Sequence, residues 1–123
     1  MNKTFVGFIF LLFLVGGVVS CQRSSSPYPY SLRYADSLME ISPERTLAYL
    51  RKLDVSTYSA GDRAYFSLLF TQATDKNMLS LLPCDSLIDT AVYYYSKKDC
   101  VNLAKAWLYK GRIQKKNRIY IIT

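Results

Sequence analysis

With 123 residues, sixteen Lys or Arg, nine Asp or Glu and a formal charge of +7, the chain has room for one small domain and the overall balance of a basic protein. It contains no histidine, which removes the commonest metal ligand and the side chain best suited to proton transfer near neutral pH. Its serines therefore have no imidazole base, no glycine-rich phosphate loop or CxxC pair is present, and no catalytic, cofactor-binding or metal-binding residues are expected.

Residues 1–20 read as a secretory signal. Lys3 supplies a basic start, an apolar run follows from Phe5, and small residues close it. Phe5–Ser20 is shorter than the roughly 20 residues a membrane-spanning helix needs. The closing Val18-Val19-Ser20-Cys21 resembles a bacterial lipobox, in which a small residue precedes a cysteine that is acylated and becomes the new N-terminus. That resemblance implies lipid attachment at Cys21, contact with the lipid bilayer through its acyl chains, and a place in the cell envelope. An acidic stretch soon after the cysteine would resemble a surface-export signal; Gln22-Arg23-Ser24-Ser25-Ser26 has none, so the expected position faces the periplasm. Four of the six phenylalanines leave with the signal, whereas all eleven tyrosines stay.

Residues 21–31 are expected to form a tether, rich in serine, with Pro27 and Pro29 and no apolar periodicity. Tyr28 and Tyr30 belong either at the lipid interface or against the domain. From Leu32 the period is helical. Leu32, Ala35, Leu38 and Met39 form one stripe, with Ile41 as a further candidate, and it ends at Ser42-Pro43. A serine N-cap with proline at the first helical position starts a second helix over 43–53, with Leu47, Tyr49, Leu50 and Leu53 apolar. Two short helices with so little between them make an antiparallel hairpin.

Residues 54–59 read as a turn, and Ser59 with Asp62 three residues later resembles a capping box for a third helix from Ala60 to about Thr74. Ala64, Tyr65, Leu68 and Leu69, with Phe66, Phe70 and Ala73 beside them, predict a helix covered on more than one side. Residues 75–84 read as a loop in which the apolar stretch 78–82 folds back on the core. A fourth helix, starting at Cys84 or Asp85, carries Leu87, Ile88, Ala91, Val92 and Tyr95 at spacings of three and four. Tyr93, Tyr94 and Tyr95 take successive directions round it, so at most two reach the core. Asp85 and Asp89, one turn apart, read as solvated carboxylates. A fifth helix begins near Val101, with Leu103, Ala104, Trp107, Leu108, Gly111 and Ile113 among its apolar positions. Cys84 and Cys100 flank a helix whose ends lie roughly 18 Å apart, beyond the ~7 Å between Cα atoms that a disulfide tolerates.

Charge is unevenly spread. From Cys21 to Asp99 the nine acids meet nine Lys or Arg, and the excess lies in Lys105, Lys110, Arg112, Lys115, Lys116 and Arg118, with no acid after Asp99. Such a tail suits anionic lipid or nucleic acid, and an envelope location argues against nucleic acid. The plain expectation is a solvated helix face whose acidic partner segment is missing.

Taken in order, the lipobox, ADSLMEISPERTLAYL at 35–50, SAGDRAYFSLLFTQA at 59–73, CDSLIDTAVYYYSKK at 84–98 and LAKAWLYKGRI at 103–113 resemble the tetratricopeptide-repeat (TPR) lipoproteins common in Bacteroidota-type Gram-negative bacteria. In such a repeat an aromatic is followed four residues later by a glycine that lets the paired helix come close. Trp107 and Gly111 have that spacing, while Lys110 and Gln114 stand where a leucine and an aromatic are usual. The resemblance implies an all-α fold of antiparallel helical hairpins, a TPR-like solenoid start over 32–118 with an irregular tail over 119–123. It implies a scaffold that binds a protein or peptide, because repeat arrays present concave surfaces. It also implies a truncated member, since KKNRIYIIT supplies no second helix after Gly111; the alternative is a natural short form whose tail folds back as a helix extension or a strand. Two other functions fit the residues: a fragment of the sensory region of a longer signalling protein, and a membrane-surface protein whose Lys115, Lys116 and Arg118 contact anionic lipid.

Overall fold

Leucine, alanine and methionine recurring at three and four residues dictate helices, and helices are what form. The computed structural model describes residues 28–122 and is all-α, with no strand among them. Its elements are α1 (Tyr30–Met39), α2 (Pro43–Arg51), α3 (Ala60–Lys76), a 3-10 turn at Leu82–Cys84, α4 (Asp85–Tyr95) and α5 (Cys100–Ile122). The signal at 1–20, Cys21, the tether through residue 27 and Thr123 lie outside the described residues. None of the described helices is long and apolar enough to cross a membrane.

Helix α1 begins earlier than its apolar stripe. The carbonyl of Pro29 accepts from the amides of Leu32 at 3.1 Å and Arg33 at 3.2 Å, and the ring fixes Pro29 at φ −62°, so Tyr30 and Ser31 join the helix rather than the tether. Leu32, Ala35, Leu38 and Met39 are buried as the spacing predicts, whereas Ile41, past the last turn, is 79 % exposed. Ser42 Oγ accepts from the Arg45 amide at 3.4 Å, with Pro43 at the first helical position. Helix α2 ends at Arg51, short of the expected Leu53, because the amides of Lys52 and Leu53 turn back to the carbonyls of Tyr49 and Leu50.

Helix α3 is the hub. Ser59 Oγ caps it by accepting from the Asp62 amide at 3.2 Å. Ala64 and Leu68 join Leu81, Cys84, Ile88, Ala91, Tyr95, Ala106 and Ile113 in one buried cluster. Leu69 and Ala73 join Leu32, Ala35, Met39, Leu47 and Leu50 in another, and Phe70 packs against both. Ser67, Thr71 and Thr74 are also buried. Each hydroxyl donates to the carbonyl four residues back, at 2.7, 2.8 and 2.7 Å, so none is left unsatisfied inside. At its C-terminal end the Asn77 side-chain amide donates to the carbonyls of Ala73 at 2.7 Å and Pro43 at 2.9 Å, tying α3 to the start of α2.

The chain leaves α3 through Met78, whose φ of 60° is left-handed and whose side chain is 91 % exposed. Of the stretch expected to fold back, Leu81 is fully buried while Leu79 and Leu82 stay partly exposed. Helix α5 starts where Asp99 Oδ1 accepts from the amides of Val101 and Asn102, both at 3.1 Å. It then runs unbroken through Ile122, where an irregular tail is expected from 119; neither proline nor glycine follows Gly111 to stop it. Each helix packs on its sequence neighbour, and in addition α1 packs on α3 and α3 on α5, whereas α2 and α4 make no close approach among the described residues.

Candidate interaction face on the fifth helix

A 23-residue helix with this much apolar surface presents more than one neighbour can cover. Asn102, Ala106 and Ile113 are buried, with Leu103 and Tyr109 packed beside them against α4 and α3. The opposite side is open: Val101 is 46 % exposed, Trp107 56 % and Leu108 56 %. At about 100° per residue, Ala104 and Gly111 fall between Trp107 and Leu108 round the helix. Two small residues thus make a shallow centre between two large apolar side chains.

Trp107 and Gly111 are therefore brought together, but a packing role inside the fold does not hold for Gly111. Among the described residues, a methyl group built there meets nothing within 4 Å. The close approach is made instead at Gly61, where a Cβ would lie 2.6 Å from the Tyr94 hydroxyl oxygen and 3.1 Å from its Cζ. Tyr94 cannot easily yield, since its ring meets Tyr95 edge-on at 5.3 Å and lies 4.2 Å beneath the Lys98 ammonium. Opposite outcomes follow. Gly111→Ala is expected to stabilise the chain by about 0.5–1 kcal/mol through helix propensity alone. Gly61→Ala should destabilise it by about 1 kcal/mol through overpacking, and urea midpoints of the two variants check the signs.

Two of the tail's six cations, Lys110 and Arg112, find acidic partners elsewhere in the fold. Lys110 Nζ lies 2.9 Å from Asp85 and 2.7 Å from Asp89, so those carboxylates, about half exposed to solvent as expected, also share one cation. Hydrogen bonds to Asp89 and then Asp85 hold the Lys110 ammonium above its usual pKa. Arg112 pairs with Asp75 of α3. Lys105, past Val101 on one edge of the open stripe, and Lys115, in line with the stripe one turn beyond Gly111, remain exposed.

The tyrosine run divides as its spacing predicts: Tyr95 is 1 % exposed, Tyr94 packs at the edge of the core and Tyr93 is 87 % exposed. What the sequence left open at Tyr28 resolves towards the domain. Its ring stacks on Tyr65 at 4.0 Å and 16°, and its hydroxyl shares a 2.9 Å hydrogen bond with that of Tyr95. Tyr65 in turn donates to Asp36 at 2.8 Å. Burial pushes the phenols of Tyr95, Tyr65 and Tyr28 above the ordinary tyrosine range. Cys84 is buried and Cys100 exposed, and both are free thiols.

Among the described residues no group of three or more His, Cys, Asp or Glu side chains is placed to hold a metal ion. Comparison with protein-family models, with curated proteins and with solved structures gives no match to this chain.

Proposed function

We propose that this chain is a membrane-anchored lipoprotein facing the periplasm, held by acylated Cys21, whose TPR-like scaffold binds a protein or peptide. The order of packing carries the scaffold half. Helices α1, α3 and α5 pack on one another in series while α2 and α4 each bridge two of them without meeting. A stack of hairpins in which every unit contacts only its neighbours has this property. The uncovered side of α5 adds an exposed apolar surface of the kind that marks interaction sites. The anchor half rests on the sequence Val18–Cys21. Residues 21–27 reach at most about 25 Å when fully extended, and the Tyr28 clasp would keep the domain within that distance of the bilayer.

The N-terminal peptide recovered from the cell envelope tests the anchor. A peptide beginning at acylated Cys21 is expected; an unmodified Cys21 or a retained Met1 overturns anchoring and location together. Photo-cross-linking residues at the exposed positions Arg33, Arg63 and Tyr93 test the scaffold in cells. A defined protein partner is expected, and cross-links to lipid alone would replace the scaffold with a membrane-surface role.

A further inference from the structure

We infer that the open side of α5 docks an amphipathic helix whose apolar stripe is flanked by acidic side chains. The inference rests on the scaffold proposal and names the partner class for one of its faces. Val101, Trp107 and Leu108 stand about half exposed on this side, and Ala104 and Gly111 lie seven residues apart along its middle. Ridges of one helix enter grooves of another, and small residues at the contact let the axes come close. A glycine inside a helix destabilises it relative to alanine. With nothing among the described residues within 4 Å of a Cβ at position 111, the described fold leaves room there for a docking chain.

Charge selects among the occupants. Helix α5 holds no acid and six cations, Lys105, Lys110, Arg112, Lys115, Lys116 and Arg118. Asp85 and Asp89 take Lys110 and Asp75 takes Arg112, while Lys105, at one edge of the stripe, and Lys115, in line with it, are exposed. A second copy laid face to face would set these lysines against their own kind, and like charges across an interface disfavour pairing. The apolar segment 5–20 of this chain has no acid to offer them. A partner helix with Glu or Asp beside its leucines satisfies both the stripe and its cations.

Trp107 is the single tryptophan of the chain and sits on the face, so its emission reports docking directly. The chain, prepared both with and without residues 1–20, is titrated with a tryptophan-free synthetic helix of about 18 residues, leucine and alanine on one side and glutamate along both edges. A saturable blue shift is expected, weakening as salt is raised, and the same peptide with lysine for glutamate should give none. Leu108→Glu and Gly111→Leu both lie on exposed positions and should leave the helical circular dichroism intact while weakening peptide affinity at least about tenfold. No shift with the acidic peptide, or an equal shift with the lysine peptide, overturns the inference. So does a free chain already dimeric in sedimentation with Trp107 shielded, or a Trp107 shielded until residues 1–20 are removed. Should cross-links at Arg33, Arg63 or Tyr93 still capture a protein while Trp107 stays silent to the peptide, the α5 face alone is removed and the scaffold stands.

Discussion

Leu68→Ala and Leu69→Ala are each expected to lower stability by about 2–5 kcal/mol, and each in one transition seen alike by helical circular dichroism and by Trp107 fluorescence. The two leucines are both 2 % exposed and are adjacent in sequence, so they leave α3 about 100° apart. Leu68 enters the cluster with Ile88, Tyr95 and Ile113 of α4 and α5, while Leu69 enters the cluster with Leu32, Leu47 and Leu50 of α1 and α2. Neither cluster is large enough to support a domain by itself, and each uses α3 as one wall. A cavity on either side loosens that shared wall and is felt on the other. Should Leu69→Ala shift the circular dichroism but leave the Trp107 transition in place, the hairpins would be independent units and the hub role of α3 would fail.

Local chemistry made much of this legible beforehand. Ser42-Pro43 and Ser59 announce helix starts through groups that act within three residues, and their oxygens do accept the amides of Arg45 and Asp62. The width of the apolar surface on α3 showed that it needed neighbours on two sides, which α1, α2, α4 and α5 supply. Three consecutive tyrosines must diverge round a helix, and they do.

What stayed hidden depends on how helices cross. Asp85 and Asp89 find Lys110 from another helix, and no spacing rule within one helix reveals a cation that arrives across an interface. Gly111 carried the repeat-like spacing after Trp107, yet a glycine's role is set by what lies opposite, and it was Gly61 that faced a ring. Tyr28 sits among prolines with no periodicity to mark it. Its docking follows from the stacked face of Tyr65 and the hydroxyl of Tyr95, which come from two different helices. The candidate face itself was half legible: the sequence marked Val101, Trp107 and Leu108 as apolar but not which side α4 would cover.

Tyr95 is where core packing and chain docking meet, and its truncation should have an effect as large as any here. Tyr95→Ala removes the largest fully buried side chain from the cluster built by α3, α4 and α5 and is expected to cost about 3–5 kcal/mol. Tyr95→Phe keeps the ring and removes only the hydrogen bond with Tyr28, for about 1 kcal/mol near neutral pH. Alkaline pH separates the two contributions further. Burial, then the hydrogen bond with Tyr28, holds the Tyr95 phenol above its ordinary 10.0, so the folded chain keeps a proton that the unfolded chain releases. Stability from this group is complete below about pH 10 and is lost as pH rises beyond it. Lys110, also raised, acts in the same direction in both proteins and cancels in their difference. The gap between the original chain and Tyr95→Phe should therefore shrink or reverse between about pH 8 and pH 11. Urea midpoints at the two pH values measure it, and a constant gap would show that the Tyr95 hydroxyl is not held protonated by its burial beneath Tyr28.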